Sequence, residues 1–274
     1  MSDRIIYTPR EIRPPKRDFK KIFFISLIGA VFIILSWGLI HALRKSSWQI
    51  KNIYISGLRK LDEGKIRSKI QEALGGNYAL IIPNSSFFLI DEKNISSTLE
   101  KEFPQIDFIV ISKEFPDRIV IEIRERDLWT IFCIKEDKSC VYMDKSGFGY
   151  ETAPLFSGFL ITKIKSDFDS VTVPSQILDS GLTERMIFLS RGLQNEIGER
   201  TIGYEISKDL PREFKLTVSS GYTLYFNRYD NFPAVFKVLK TVLDKEIKDK
   251  RSRLEYIDLR FGNKVFYKWQ RGTK

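Results

Sequence analysis

The chain has 274 residues, 43% of them hydrophobic and 29% charged, with a formal charge of +10 and two cysteines, so a sizeable core is affordable and a disulfide-stapled miniprotein is excluded. The charge is uneven: residues 1–21 hold +4, Arg44 and Lys45 add +2, residues 248–274 hold +6, and residues 46–247 sum to −2. A nearly neutral body without interleaved arginines and aromatics argues against nucleic acid as a partner.

Residues 1–21 carry seven basic and three acidic side chains, with Pro9, Pro14 and Pro15 among them, and read as a disordered basic tail. Its role is topology, or contact with anionic lipid or a cytoplasmic partner. Ile22–Leu43 follows, 22 positions without Lys, Arg, Asp or Glu. As a helix it spans roughly 33 Å, enough for a hydrocarbon core of about 30 Å. Positive flanks stay cytoplasmic, so the expectation is an uncleaved, single-pass anchor with its N-terminus inside and the body exported. A cleaved signal peptide fits less well, because its apolar region is normally about 7–15 residues and ends at an Ala-x-Ala-like site. HALRKSS is a poor match for such a site.

The first exported unit is placed at residues 48–127. In WQIKNIYISG, Ile53 and Ile55 alternate with polar residues and Gly57 punctuates a strand. Asp62 is positioned to cap a helix to about Leu74, with Ile66, Ile70, Ala73 and Leu74 on one face and Gly75-Gly76 as its stop. Asp91 caps a second helix through Ile95, Leu99 and Phe103, ended at Pro104. Two strands around a Pro116-Asp117 turn complete the unit, the second placing Ile119, Ile121 and Ile123 on one face. Glu125 and Arg126 read either as a catalytic acid with its partner or as a solvated or structural ion pair.

The second exported unit is placed at residues 128–270, with 271–274 as a short tail. IFCIKEDKSCVYM reads as a hairpin about Glu136-Asp137, which sets Cys133 opposite Cys140. A bridge and two free thiols are both compatible with that placement. Further on, a helix is expected from Thr183 to about Ile197 and another capped by Asn231 with Pro233 in its first turn. IGYEIS, EFKLTVSS and GYTLYFNR alternate between them as strands. Residues 159–180 give no readable pattern. The whole is an α+β chain: helices packed on a mainly antiparallel sheet behind a smaller strand–helix–helix–strand–strand unit.

RLEYIDLRFGNKVFYKW closes the chain as a hairpin about Gly262-Asn263. A two-residue turn would set Leu259 opposite Phe266, Asp258 opposite Tyr267 and Tyr256 opposite Trp269. A terminal strand exposes unpaired backbone groups to which an incoming chain can add a strand. Phe261, Phe266 and Trp269 would then select it by apolar contact, and Arg253, Arg260, Lys264 and Lys268 by charge toward an acidic segment. The competing reading makes these aromatics core and the lysines guards against unwanted edge pairing.

The opening WxIxxIxIxG, the phrase FPDRIVIEIRER with Pro116, Ile119, Ile121, Ile123, Glu125 and Arg126, and the order of elements between them resemble a POTRA domain of the bacterial cell-division family FtsQ (DivIB). YMDKSGFGYE, APLFSG with Pro154, Leu155 and Gly158, and Tyr256-Ile257-Asp258-Leu259-Arg260 resemble later lines of the same family. The resemblance implies a non-enzymatic, membrane-embedded scaffold at the division septum. Such a scaffold gathers small coiled-coil proteins of the FtsB/FtsL or DivIC/FtsL type and helps coordinate septal peptidoglycan synthesis. It implies partner-contacting aromatics at Phe261 and Trp269 and no cofactor. Against an enzyme, the single histidine, His41, lies in the apolar helix, so the body has no Ser-His-Asp or Cys-His set and no His-based metal site. The alternatives are a POTRA-bearing factor for envelope assembly or export and, more remotely, a cell-wall hydrolase using paired carboxylates.

Overall fold

A computed structural model of the chain describes residues 19–78, 82–134, 138–154, 161–262 and 264–271. The tail before residue 19, the Glu136-Asp137 turn, Leu155 and Gly158, Asn263 and the last three residues lie outside the described residues.

The apolar run forms α1 (Phe19–Leu43), and its stretch Phe23–Leu43 is long and apolar enough to cross a membrane. No part of that stretch is buried against the rest of the chain, as expected of a helix whose solvent is lipid.

The first unit is built from β1 (Asn52–Ser56), α2 (Glu63–Leu74), a two-residue pair β2 (Asn77–Tyr78) and β3 (Ile82–Pro83), α3 (Glu92–Glu102), β4 (Ile106–Glu114) and β5 (Arg118–Glu125). Both helices start where the sequence places their caps: Asp62 accepts from the Lys65 amide at 2.8 Å and Asp91 from the Asn94 amide at 3.0 Å. Each such cap is worth about 1 kcal/mol against alanine. β5 runs down the middle of the sheet, parallel to β1 and antiparallel to β4. Its alternation buries Ile119, Ile121 and Ile123 against Ile66, Ile70, Ile95 and Leu99 of the two helices. Burial of side chains this size contributes about 1.5–3 kcal/mol each.

The second unit holds a ten-stranded sheet. Its strands are β6 (Leu128–Ile134), β7 (Ser139–Asp144), β8 (Phe148–Ala153), β9 (Lys163–Ser166), β10 (Ser175–Gln176), β11 (Thr201–Ile206), β12 (Glu213–Val218), β13 (Thr223–Asn227), β14 (Leu254–Phe261) and β15 (Lys264–Trp269). The spatial order is β10-β8-β7-β6-β9-β11-β12-β13-β14-β15. Among the described residues the β6–β9, β9–β11 and β13–β14 pairs are parallel and the others antiparallel, so the sheet is mixed but mainly antiparallel. α4 (Ser180–Gly192) and α5 (Phe232–Val242) cover one face, each continuing into a wider turn to Ile197 and Ile247. Met186, Leu189, Phe236 and Leu239 pack there on Phe132, Tyr204, Phe214 and Leu224. Burial pushes the Tyr204 hydroxyl up to about 12, opposed by its hydrogen bonds to Ser190 and Thr201.

Two features depart from expectation, and one open point is resolved. α4 begins at Ser180 rather than Thr183, because Asp179 caps it by accepting from the Leu182 amide at 2.9 Å. The unreadable stretch contains β9, wedged between β6 and β11, and the two-residue β10 at the sheet edge. Cys133 does pair with Cys140 in the β6–β7 ladder, with Cα atoms 4.1 Å apart, and of the two open readings it is the disulfide that forms.

The two units meet at Arg126. Its guanidinium binds Asp144 at 2.7 Å, Asp107 at 3.3 Å and the Pro104 carbonyl at 3.1 Å, and lies 4.2 Å over the Phe148 ring. Asp144 turns its other oxygen to the Ser146 amide and hydroxyl and the Phe148 amide, which explains the turn chemistry of the YMDKSG phrase. Glu125 faces elsewhere and accepts the amides of Arg59, Lys60 and Leu61 at 2.6, 2.9 and 3.1 Å. Burial raises this carboxyl, but the three amides and the Arg59 charge outweigh it and hold the group below its ordinary value. Glu125 and Arg126 therefore do not form the ion pair of one reading, because each is bound to a different set of neighbours.

Candidate partner-binding edge

Among the described residues β15 is the outermost strand of the long sheet and is hydrogen-bonded on one side only, to β14. Of its six residues all but Val265 are exposed. Phe266 is 52% exposed, Tyr267 40% and Trp269 36%, while Phe261 at the end of β14 is 54% exposed. These values separate the hairpin's rings from core aromatics such as Phe214, at 1%.

The register differs from that of a simple two-residue hairpin. Phe261 faces Lys264 as expected, but further along Asp258 faces Phe266, Ile257 faces Tyr267, Tyr256 faces Lys268 and Leu254 faces Trp269. Two irregularities, between Asp258 and Phe261 and between Leu254 and Tyr256, shift the pairing by one residue and then another. The first has a visible cause: Asp258 accepts from the backbone amide and Nε of Arg260 at 3.1 and 2.8 Å, a local bond that competes with the ladder. Its result is that Ile257, Asp258 and Leu259 are buried in succession, which strict alternation would forbid.

The shift sorts the rings onto two faces. Tyr267 and Trp269 meet edge to face at 5.6 Å on the side of Val265, which packs against the main core. Phe266 meets Phe261 edge to face at 5.4 Å on the other side. Beside it Tyr256, half-buried, touches Tyr225 at 5.5 Å and lies under the Lys268 ammonium at 6.0 Å.

The basic residues divide as well. The Arg260 guanidinium binds Asp258 and Glu213 and covers the Tyr225 ring at 5.1 Å. Its bond to Asp258 comes first among the causes that hold its pKa well above the ordinary arginine value. Arg260 therefore fixes β14 to β12 and is not a free cation at the edge. Lys268 pairs with Glu255 at 2.7 Å. Lys264 is exposed beside the turn, and Arg253, exposed at the start of β14, offers its carbonyl to the Gln270 amide at 2.8 Å. Tyr267 is the member that sequence reasoning omits. Its signal was the alternation Val265, Tyr267, Trp269, obscured by the assumption of an unbulged ladder. Among the described residues, no three His, Cys, Asp or Glu side chains cluster as a metal site requires.

Residues 48–126 match the family model of the POTRA domain, FtsQ-type. This segment is an FtsQ-type POTRA domain. With the apolar helix before it, this match supports likeness to the FtsQ/DivIB family and points to a division-related scaffold at a membrane that interacts with other proteins. The match ends at the junction with β6, so the β15 edge lies outside it. A comparison with curated proteins returns no match.

Proposed function

We propose that the chain is a non-enzymatic, single-pass scaffold of the bacterial division machinery. Its N-terminus is cytoplasmic and its POTRA domain and β unit are extracytoplasmic, at the septum. The β unit captures a small coiled-coil division protein of the FtsB/FtsL or DivIC/FtsL type by accepting a strand alongside β15, and the assembly helps coordinate septal peptidoglycan synthesis.

One observation carries this reading: a six-residue outer strand, paired on one side only, with exposed aromatic rings on both faces. Backbone groups along such an edge supply affinity, and alternate side chains supply selectivity. Phe261 and Phe266 would grip one face of the added strand, Tyr267 and Trp269 the other, with Tyr256 at the margin. Lys264 and Arg253 are the cations best placed for an acidic flank, and Arg260 acts as a positioning residue. The basic tail ahead of α1 supports the orientation. The Cys133–Cys140 bridge supports an oxidising compartment for the body.

The test is co-purification of the full chain with its small coiled-coil division proteins from membranes of the source cell. Lys264→Glu and Trp269→Ala should each abolish capture while the purified chain keeps its folded circular-dichroism spectrum. Undiminished capture by both variants would remove β15 as the docking edge.

A further inference from the structure

Four aromatic rings from three separate segments form a chain at the end of the first unit where α1 enters it. Trp48 meets Phe88 at 5.5 Å, Phe88 meets Phe87 at 5.5 Å, and Phe87 meets Phe115 of the β4–β5 turn at 5.5 Å, all edge to face. Trp48 and Phe87 are half-buried, but Phe88 is 51% and Phe115 64% exposed. Of the four, Phe87 packs against the aliphatic core of that unit, while Phe88 and Phe115 stand outside it.

Their position is fixed by backbone bonds. The Phe87 amide donates to the Trp48 carbonyl at 2.8 Å, the Ile50 amide to the Ser85 carbonyl at 2.8 Å, and the Lys51 amide to the Asp117 carbonyl at 3.0 Å. Both aromatic loops are therefore stitched to residues 48–51, immediately after the apolar helix. The connection is short and wound: Arg44 and Lys45 amides donate back to Ile40 and Ala42 at 3.1 Å, and Trp48 to Lys45 at 2.9 Å. Five residues wound at about 1.5–2 Å each place Trp48 only about 10 Å beyond Leu43. The polar layer of a bilayer adds about 5–7 Å on each side of the hydrocarbon. A ring cluster held this close to the end of a membrane helix is within reach of that layer, the environment in which amphipathic aromatics are enriched.

The surrounding charge fits the same occupant. Arg44, Lys45 and Lys51 are exposed on the connection, and the Lys45 ammonium lies 5.4 Å from the Trp48 ring centre. Cations flanking rings at this depth suit lipid phosphates. We propose that Trp48, Phe88 and Phe115 form a lipid-facing ridge that seats the POTRA domain on the headgroup layer of the membrane that α1 enters.

The experiment uses the full chain in nanodiscs of phosphatidylcholine and phosphatidylglycerol, without any partner protein. A nitroxide is attached at Phe115→Cys in one sample and at Leu210→Cys, exposed on the second unit, in another, with Cys133 and Cys140 left bridged. Collision with oxygen, which concentrates in lipid, is compared with collision with a water-soluble nickel chelate. The label at 115 should favour oxygen and the label at 210 the nickel chelate. Adding Trp48→Ser and Phe88→Asp should move the 115 label to nickel without changing the 210 label. A 115 label as open to nickel as the 210 label in the parent chain overturns the proposal, as does a lipid-like 115 label that persists in the substituted chain. Neither result bears on capture at β15, so the two readings fail independently.

Discussion

At one end of the long sheet β10 offers two residues, Ser175 and Gln176, and at the other β15 offers six. The β10 end is short and tied inward to the β7–β8 turn. Gln176 donates its side-chain amide to the Ser146 carbonyl at 2.7 Å and the Leu178 carbonyl at 2.5 Å, and the Ile177 and Leu178 amides both return to the Gly147 carbonyl. Gly147 makes that tie possible, since its φ is +85° and a Cβ there would stand 2.3 Å from the Leu178 carbonyl oxygen. The β15 end is longer and carries its rings in the open. One edge strand of the sheet is thus two residues long and locked to the turn beside it, while the other is six residues long and carries exposed rings, and only the first has the shortness that blunts an edge.

The largest break in this contrast should come from Arg260→Ala. It leaves Asp258, which is 6% exposed, and Glu213 without their shared cation. A loss of about 2–4 kcal/mol is expected in urea denaturation, with partner capture lost as β14 loosens. Arg260→Lys should recover only part of it, because an ammonium cannot serve both carboxylates with a planar fork.

Gly147→Ala attacks the other edge. Left-handed backbone and the close Leu178 carbonyl make a cost of about 1–3 kcal/mol the expected result. Capture at β15 should survive, and its loss would mean that the two edges are coupled through the sheet.

The smallest stability effect belongs to Phe266→Ser. A half-exposed ring on an outer strand should cost less than about 1 kcal/mol, while capture of the coiled-coil partner falls. A larger loss of stability without a change in capture would make β15 a structural strand and not a docking edge.

The legibility of these regions in sequence follows from the range of the forces involved. The apolar run of α1, the Asp62 and Asp91 caps and the Ile119–Ile121–Ile123 alternation depend on neighbours within a turn or a strand, and all are plain in the chain. β9 and β10, at four and two residues, are too short to show a period, and they exist because distant strands pair with them. Asp179 was a capping signal in plain view, masked because the apolar spacing that draws attention begins later. At the candidate edge the hairpin and its aromatics were readable. The use of Arg260 was not, because Glu213 lies 47 residues away and only the β12–β13–β14 arrangement brings them together.

Between β5, which ends at Glu125, and β6, which starts at Leu128, only Arg126 and Asp127 intervene, and both side chains are engaged, Arg126 with Asp107 and Asp144 and Asp127 with Arg59. A joint this short and this well tied behaves as a ruler rather than a leash. The height at which the outer strand stands above the helix end becomes a property of the folded chain, and under the proposed docking at β15 a partner would have to bring its own strand to that height.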